Sequence, residues 1–294
     1  MSATPAPAQH SARGYTMVAL AAFMWGTWSL FLRRITIDPR WITPIVFFAM
    51  TFGAAPLLLR PGARGTTPRS REDSSRMLVL GLSDAANAWL FFNAMSRTTN
   101  AIAVLSHYLA PTIVSLIAPR WLGTPPQRGA VTRALIATSG LLLVLEPWKL
   151  SGLEPRHMVG AAFGALSAIF YAMNVCVSKQ LAAKYTPEET LVYHSAISLV
   201  VVLPTAPFAA AAVPALFALG IVALAGLLVG VTAGIAFVAG VKSVPAEHAS
   251  LLTFLEPITA VFIGVAVFHE RLDVVSLLGA AVVIGTGVAA VRAK

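Results

Sequence analysis

The stretch AVLSHYLAPTIVSLIA, residues 103–118, returns as ASLLTFLEPITAVFIG at residues 249–264. Ala103, Leu105, Leu109, Pro111 and Ile117 recur 146 positions later as Ala249, Leu251, Leu255, Pro257 and Ile263, and the aromatic Tyr108 recurs as Phe254. Each copy sits in an apolar stretch long enough to cross a bilayer as a helix. Each is broken near its middle by a proline, which removes a backbone donor and crowds the preceding turn. An odd span offset separates the copies, so they lie upside down relative to each other. Inverted repeats with interrupted helices at corresponding positions mark a secondary transporter.

Composition agrees. The chain of 294 residues is 57% hydrophobic and 11% charged, with mean hydropathy +0.77. A soluble domain carries about a quarter charged residues. No globular core of this length could hide so much apolar surface, so lipid is the expected solvent. The net charge of +9 is spread among loops rather than clustered, which points to orientation in a membrane and away from nucleic acid. The single cysteine, Cys176, excludes an internal disulfide and reads as a small packed hydrophobe. The first fourteen residues are Pro/Ala-rich and polar; they are expected to be a disordered cytoplasmic tail before a retained first span.

Ten spans are placed at 15–32, 41–59, 77–95, 101–119, 130–147, 157–178, 189–208, 215–240, 246–268 and 272–291, joined by short loops except for the Arg-rich 60–76. With the N-terminus inside, fourteen Lys and Arg fall in inner segments and seven in outer ones, which favours both termini in the cytoplasm, although Arg33, Arg34 and Arg40 dissent. The fold expected is all-α and integral to the membrane, with ten transmembrane helices in two inverted five-helix repeats, 15–147 and 157–291. WGTWSLFLRR at 25–34 loosely matches FYAMNVCVSK at 170–179, and Phe91 matches Phe237. Gly226, Gly230 and Gly234 in the eighth span read as a close-packing stripe or as a sliding surface. Trp41, Trp121 and Trp148 fall near span ends, where they suit interfacial belts.

Titratable groups near the bilayer centre are costly and therefore functional suspects. Asp84, His107 and Glu256 lie near the middles of the third, fourth and ninth spans. Asp84, Asn87 and Phe91 share one helix face, as do Tyr108, Thr112 and Ser115, and Ser250, Thr253 and Glu256; Trp25 with Trp28 and Tyr171 with Asn174 repeat the spacing. Polar stripes on five spans at one depth describe a hydrated cavity. The candidate substrate-binding set is Trp25, Trp28, Asp84, Asn87, His107, Tyr108, Pro111, Tyr171, Asn174, Thr253, Glu256 and Pro257. Pro111 and Pro257 enter it because each frees backbone groups that a ligand can take up. Alternatives stand beside these. Glu256 can organise the break at Pro257, Asp84 can pair with Asn87 or a neighbouring helix, and His107 can be a hydrogen-bonded packing residue. His194 is read as structural.

At this point the residues resemble a known family. FLEPITAVFIGVAVFHERL at 254–272 is similar to the second-repeat signature of the drug/metabolite transporter superfamily, EamA-type branch, with Leu255-Glu256-Pro257 early in the ninth span and Glu270 near its end. Trp25-Gly26 and the span around Pro111 fit the same pattern. The resemblance covers nearly the whole chain and implies ten helices in two inverted repeats around a cavity lined by spans 1, 3, 4, 6, 8 and 9. HYLAP at 107–111 resembles the fourth-span segment of aromatic amino acid exporters, with Tyr108 and Pro111 matching and Ala110 departing from the large aromatic found there.

The middles of the ten spans hold no Lys or Arg, which disfavours anionic substrates and suits zwitterions, neutral metabolites or organic cations. No GxxxxGK[ST] sequence is present, so ATP hydrolysis is not the expected energy source. His269-Glu270 lacks the second histidine of HExxH, and no metal or cofactor is expected. The function expected is secondary transport of a small metabolite by alternating access, with export the expected direction and a bacterial inner membrane the expected location. A proton is the candidate coupling ion, carried by Asp84 or Glu256. The rival readings are a polytopic membrane enzyme and a facilitative channel.

Overall fold

The computed structural model describes residues 12–149, 155–207, 214–269 and 273–292. Residues 1–11, Glu270, Arg271 and Lys294 lie outside the described residues, as do the expected end of the seventh span and start of the tenth. Ala12, Arg13 and Gly14, expected in the tail, instead open α1 (Ala12–Gly26). They are ordered by contact: an added Cβ at Gly14 would meet Ser243 and Val244 at 2.3 and 3.0 Å, so the start of the first span is seated directly on the end of the eighth. A break at Thr27 separates α1 from α2 (Trp28–Leu32), and the Thr27 hydroxyl donates to Met24 O at 2.6 Å.

The second span, α3 (Pro39–Ala54), starts at an Asp38 cap. The third, α4 (Arg71–Arg97), is longer than its expected 77–95 because Ser70 and Asp73 form a capping box that starts it six residues early. Residues 71–76, expected in a loop, are helical for that reason. The fourth span breaks into α5 (Asn100–His107) and α6 (Ala110–Leu122), and α7 (Ala130–Leu145) is the fifth. The second half repeats the plan with α8 (Pro155–Leu181) and α9 (Pro187–Val202), the latter started by a Thr186–Glu189 capping box. The eighth span consists of α10 (Leu216–Ala225), a π turn over Gly226–Val231, and α11 (Thr232–Val241). The ninth breaks into α12 (Ala246–Leu252) and α13 (Leu255–Phe268), and α14 (Val274–Arg292) is the tenth.

Eight of these spans are long and apolar enough to cross a membrane on length and composition. The other two are α4 and α9. One carries Asp84 at its middle, and the other has only 16 residues. Both are packed into the bundle, α4 against α8 and α9, and α9 against α3, so neighbours and not lipid receive their polar side chains. The result is an all-helical membrane fold of ten spans in two inverted halves.

The prolines break the fourth and ninth spans at Tyr108-Leu109 and Thr253-Phe254, within one residue of the same place in the repeat. Pro257 cannot donate to the Thr253 carbonyl four residues back. That carbonyl accepts from Glu256 N at 2.9 Å and from the Tyr108 hydroxyl at 3.2 Å, so the break in one half is braced by the aromatic of the other. The glycines of the eighth span admit the second and seventh: an added Cβ would come within 2.7 Å of Ala49 at Gly226, 2.9 Å of Met50 at Gly230 and 2.6 Å of Leu191 at Gly234.

Candidate functional site

A cavity of about 550 Å³ lies between the halves. Its floor is made by Leu80, Val175 and Leu191, which are almost fully buried, while Arg33 and Asn100 at its rim are exposed. The cavity therefore opens on the face opposite α1's start. Below the floor, Tyr15, Val18, Val114, Ala118, Cys176, Val241, Val244, Ala249 and Leu252 form one apolar cluster that seals the other end.

Ten of the twelve candidate residues line this cavity: Trp25, Trp28, Asp84, Asn87, His107, Tyr108, Tyr171, Asn174, Glu256 and Pro257. Pro111 and Thr253 do not. Pro111 is buried inside α6, and Thr253 is 1% exposed, with its hydroxyl turned back to Ser250 O at 2.7 Å. A helix at a break turns its next residues away from the axis, so only the Glu256 end of the Ser250–Thr253–Glu256 stripe reaches the wall.

The expected wall of spans 1, 3, 4, 6, 8 and 9 is present, but it is incomplete. Val46, Phe47 and Met50 from α3, Leu145 from α7, and Leu191 and His194 from α9 also line the cavity. His194, expected outside the lining set, is at the wall: its Nε2 lies 3.3 Å from Asp84 Oδ2, and its Nδ1 is 2.5 Å from Thr190 O. Asn174 Nδ2 donates to the other Asp84 oxygen at 3.0 Å, and Ser83 donates to Asn174 Oδ1. Asp84 thus sits in a network spanning three helices. The available signal for His194 is a titratable residue inside an apolar span, the same kind of signal that singles out Asp84 and Glu256.

Glu256 is different. Its carboxylate has the Tyr108 hydroxyl as a neighbour and no ion-pair partner among the described residues. Around it stand aromatic rings. His107 packs on Phe91 at 4.5 Å and edge-on to Tyr171 at 5.3 Å, with its Nδ1 2.8 Å from Ser167 Oγ. Trp25 lies against Phe237 at 5.3 Å. The Tyr171 hydroxyl makes no hydrogen bond of good geometry, and Asn87 Oδ1 is buried without a partner among the described residues. Buried polar atoms are ordinarily paired, and both of these residues line the cavity.

The repeat also sets the wall's geometry. At an offset of 146, Trp25, Trp28, Ser29 and Leu32 correspond to Tyr171, Asn174, Val175 and Ser178, and all eight line the cavity. The loose match of 25–34 to 170–179 is thereby shifted by one residue. Asp84, Ala88, Phe91 and Phe92 pair in the same register with Gly230, Gly234, Phe237 and Val238, again all at the wall.

Ten spans in two inverted halves around a cavity open at one face make up the architecture of a secondary transporter. The chain belongs to the EamA-like transporter family, whose family model matches it twice, over residues 12–146 and 158–291. It is similar to an uncharacterized transporter of Archaeoglobus fulgidus, 24% identical over 271 residues covering 92% of this chain and 93% of that one. It is also similar to the pseudopaline exporter CntI of Pseudomonas aeruginosa, 25% identical over 191 residues, or 65% of either chain. A solved crystal structure at 18% identity shares the fold, with a TM-score of 0.80 over 97% of this chain and 100% of the other. The family, the Archaeoglobus protein and CntI are transporters and not enzymes.

Proposed function

We propose that the protein exports a small zwitterionic or cationic metabolite, an amino acid or a similar amine, by alternating access across a bacterial inner membrane with both termini cytoplasmic. The observation that carries this reading is the cavity's charge. Two carboxylates, Asp84 and Glu256, face it among aromatic rings and amides, and the nearest cation, Arg33, stands at the rim. An ammonium group would be held by a carboxylate and by ring faces, whereas a dianion would meet like charge. The sealed floor favours a carrier over a continuous pore. The direction rests on the similarity to an exporter.

Glu256 is the first candidate to meet the ligand or to carry a proton, because Asp84 is already held by Asn174 and His194. A thermal-shift screen of the purified protein against amino acids, amines, nucleobases and dicarboxylates tests the substrate class. Saturating an amine at 100 times its Kd should stabilise the protein by about 2.7 kcal/mol. Stabilisation by dicarboxylates alone would overturn the reading. Proton coupling is tested separately in proteoliposomes with the ligand so identified: Glu256→Gln should abolish the pH dependence of flux. If both Glu256→Gln and Asp84→Asn keep it in full, transport is not proton-linked through these groups.

A further inference from the structure

The two ends of the cavity are related by the repeat, yet only one is closed, and the closed end shows how the open one shuts. At the sealed end Lys179, near the end of α8, donates to three backbone carbonyls where α11 finishes: Val241 at 2.7 Å, Lys242 at 3.1 Å and Val244 at 2.7 Å. The last carbonyls of a helix lack intrahelical partners and carry its negative pole, so a cation there is favoured twice over. Lys179 thus ties the sixth span to the eighth within one half. Beside it, α6 packs against α12 and α8 against α11 and α12.

Moving each of these residues 146 positions back gives the counterpart at the other end. Lys179 becomes Arg33, another long cation, and the three carbonyls become those of Met95, Ser96 and Thr98 at the end of α4. Arg33 and Met95 both line the rim of the cavity. Among the described residues, the helix pairs equivalent to the sealed ones, α5 with α13 and α1 or α2 with α4, make no comparable packing. In this structure Arg33 instead lies over the Phe268 ring, 4.9 Å from its centre.

We propose that Arg33 is the latch of the second gate. When the open end closes, its guanidinium leaves Phe268 and binds the C-terminal carbonyls of α4 at Met95, Ser96 and Thr98, while Lys179 releases those of α11. The two latches alternate because the cavity is open at one end at a time. They are unequal. The sealed end also has buried Glu247 close to Lys179, and His248 Nδ1 lies 2.8 Å from the Tyr15 hydroxyl. Their counterparts are Ala101, Ile102 and Ala161. The Arg33 latch therefore lacks counterparts to Glu247, His248 and Tyr15, although Thr98 at its end bonds His157 at 3.0 Å, and the Lys179 end is the better held of the two.

The test reads distance and needs no substrate, so its outcome is independent of which molecule is carried. Spin labels are placed at the exposed Arg34→Cys and Ser96→Cys positions in a Cys176→Ala background, and distance distributions are measured in proteoliposomes by double electron–electron resonance. The wild-type distribution should be dominated by a long distance. Lys179→Met should raise the ratio of short to long distances by about tenfold or more, the scale of one lost charge-assisted bond, and Lys179→Arg should not. Adding Arg33→Gln to Lys179→Met should remove the short population, and adding Arg33→Lys should retain it. If Lys179→Met does not fold, Glu247→Gln should shift the ratio in the same direction by less. A short population that is absent in every variant, or that survives Arg33→Gln, overturns the proposal.

Discussion

Positions 84 and 230 occupy equivalent places in the third and eighth spans, and both line the cavity, yet one is aspartate and the other glycine. The fourth and ninth spans reverse the arrangement: Glu256 faces the cavity where its counterpart, Ala110, is buried in α6. The aromatic of the break differs too. Tyr108 reaches across to the Thr253 carbonyl, while Phe254 has no hydroxyl to return the contact. The proline breaks thus repeat almost faithfully, whereas a carboxylate appears once per half at non-equivalent positions. A cavity with symmetric charges would hold an asymmetric ligand equally well in two opposed orientations. Under the proposed function, a cavity whose carboxylates break the symmetry would favour a single orientation of such a ligand.

The largest effect that would sharpen this comparison is expected at Phe254. It is 1% exposed and packs with Leu141, Leu251 and Val283, and its ring lies 5.2 Å from that of Tyr108. Phe254→Ala should destabilise the protein by about 3–5 kcal/mol, read as a lowered thermal midpoint in detergent. A loss as small as a surface substitution would show that the second break is not packed as described.

A smaller effect is expected at its counterpart. Tyr108→Phe keeps the ring, and with it the packing, but removes the hydroxyl that braces Thr253. It should cost about 0.5–1.5 kcal/mol of stability and also weaken ligand binding, measured by calorimetry, because the same hydroxyl neighbours Glu256. If Tyr108→Phe leaves both unchanged, the cross-brace between the halves has no energetic weight.

The smallest effect concerns a link with no mirror image. Lys149, after α7, pairs with Glu146 at 2.8 Å and with Asp273, which caps the start of α14. The residue equivalent to Asp273 in the first half is Gln127. The Lys149 hydrogen bond holds the Asp273 carboxyl down to about 2, below its ordinary 3.8. A depressed carboxylate contributes stability above its unfolded value and loses it as pH falls through its folded one. Asp273→Asn should therefore lower the thermal midpoint at pH 7 by about 1–2 °C or less, as suits an exposed pair. The difference should narrow between pH 4 and pH 2, and a gap that widens on acidification would contradict the pairing.

Much of the molecule was legible because membrane helices are constrained locally. A span must be about twenty apolar residues and must satisfy its own backbone, so the spans, the inverted halves and the two proline breaks follow from the run of residues alone. The sequence likewise singled out ten of the lining residues, since a polar group at mid-span is costly unless it faces water or a partner. What it could not separate was which of those two each group faces. Thr253 and Asp84 look alike as mid-span polar residues; packing turned one into the core and held the other at the wall between Asn174 and His194. His194 lies on a helix outside the expected lining set, and only the approach of α9 to α4 brings it to Asp84. Which end of the cavity is closed was likewise decided by tertiary structure. The two ends carry related sequence that differs at Glu247, His248 and Tyr15 against Ala101, Ile102 and Ala161, and whether the helices meet there depends on contacts between residues far apart in the chain.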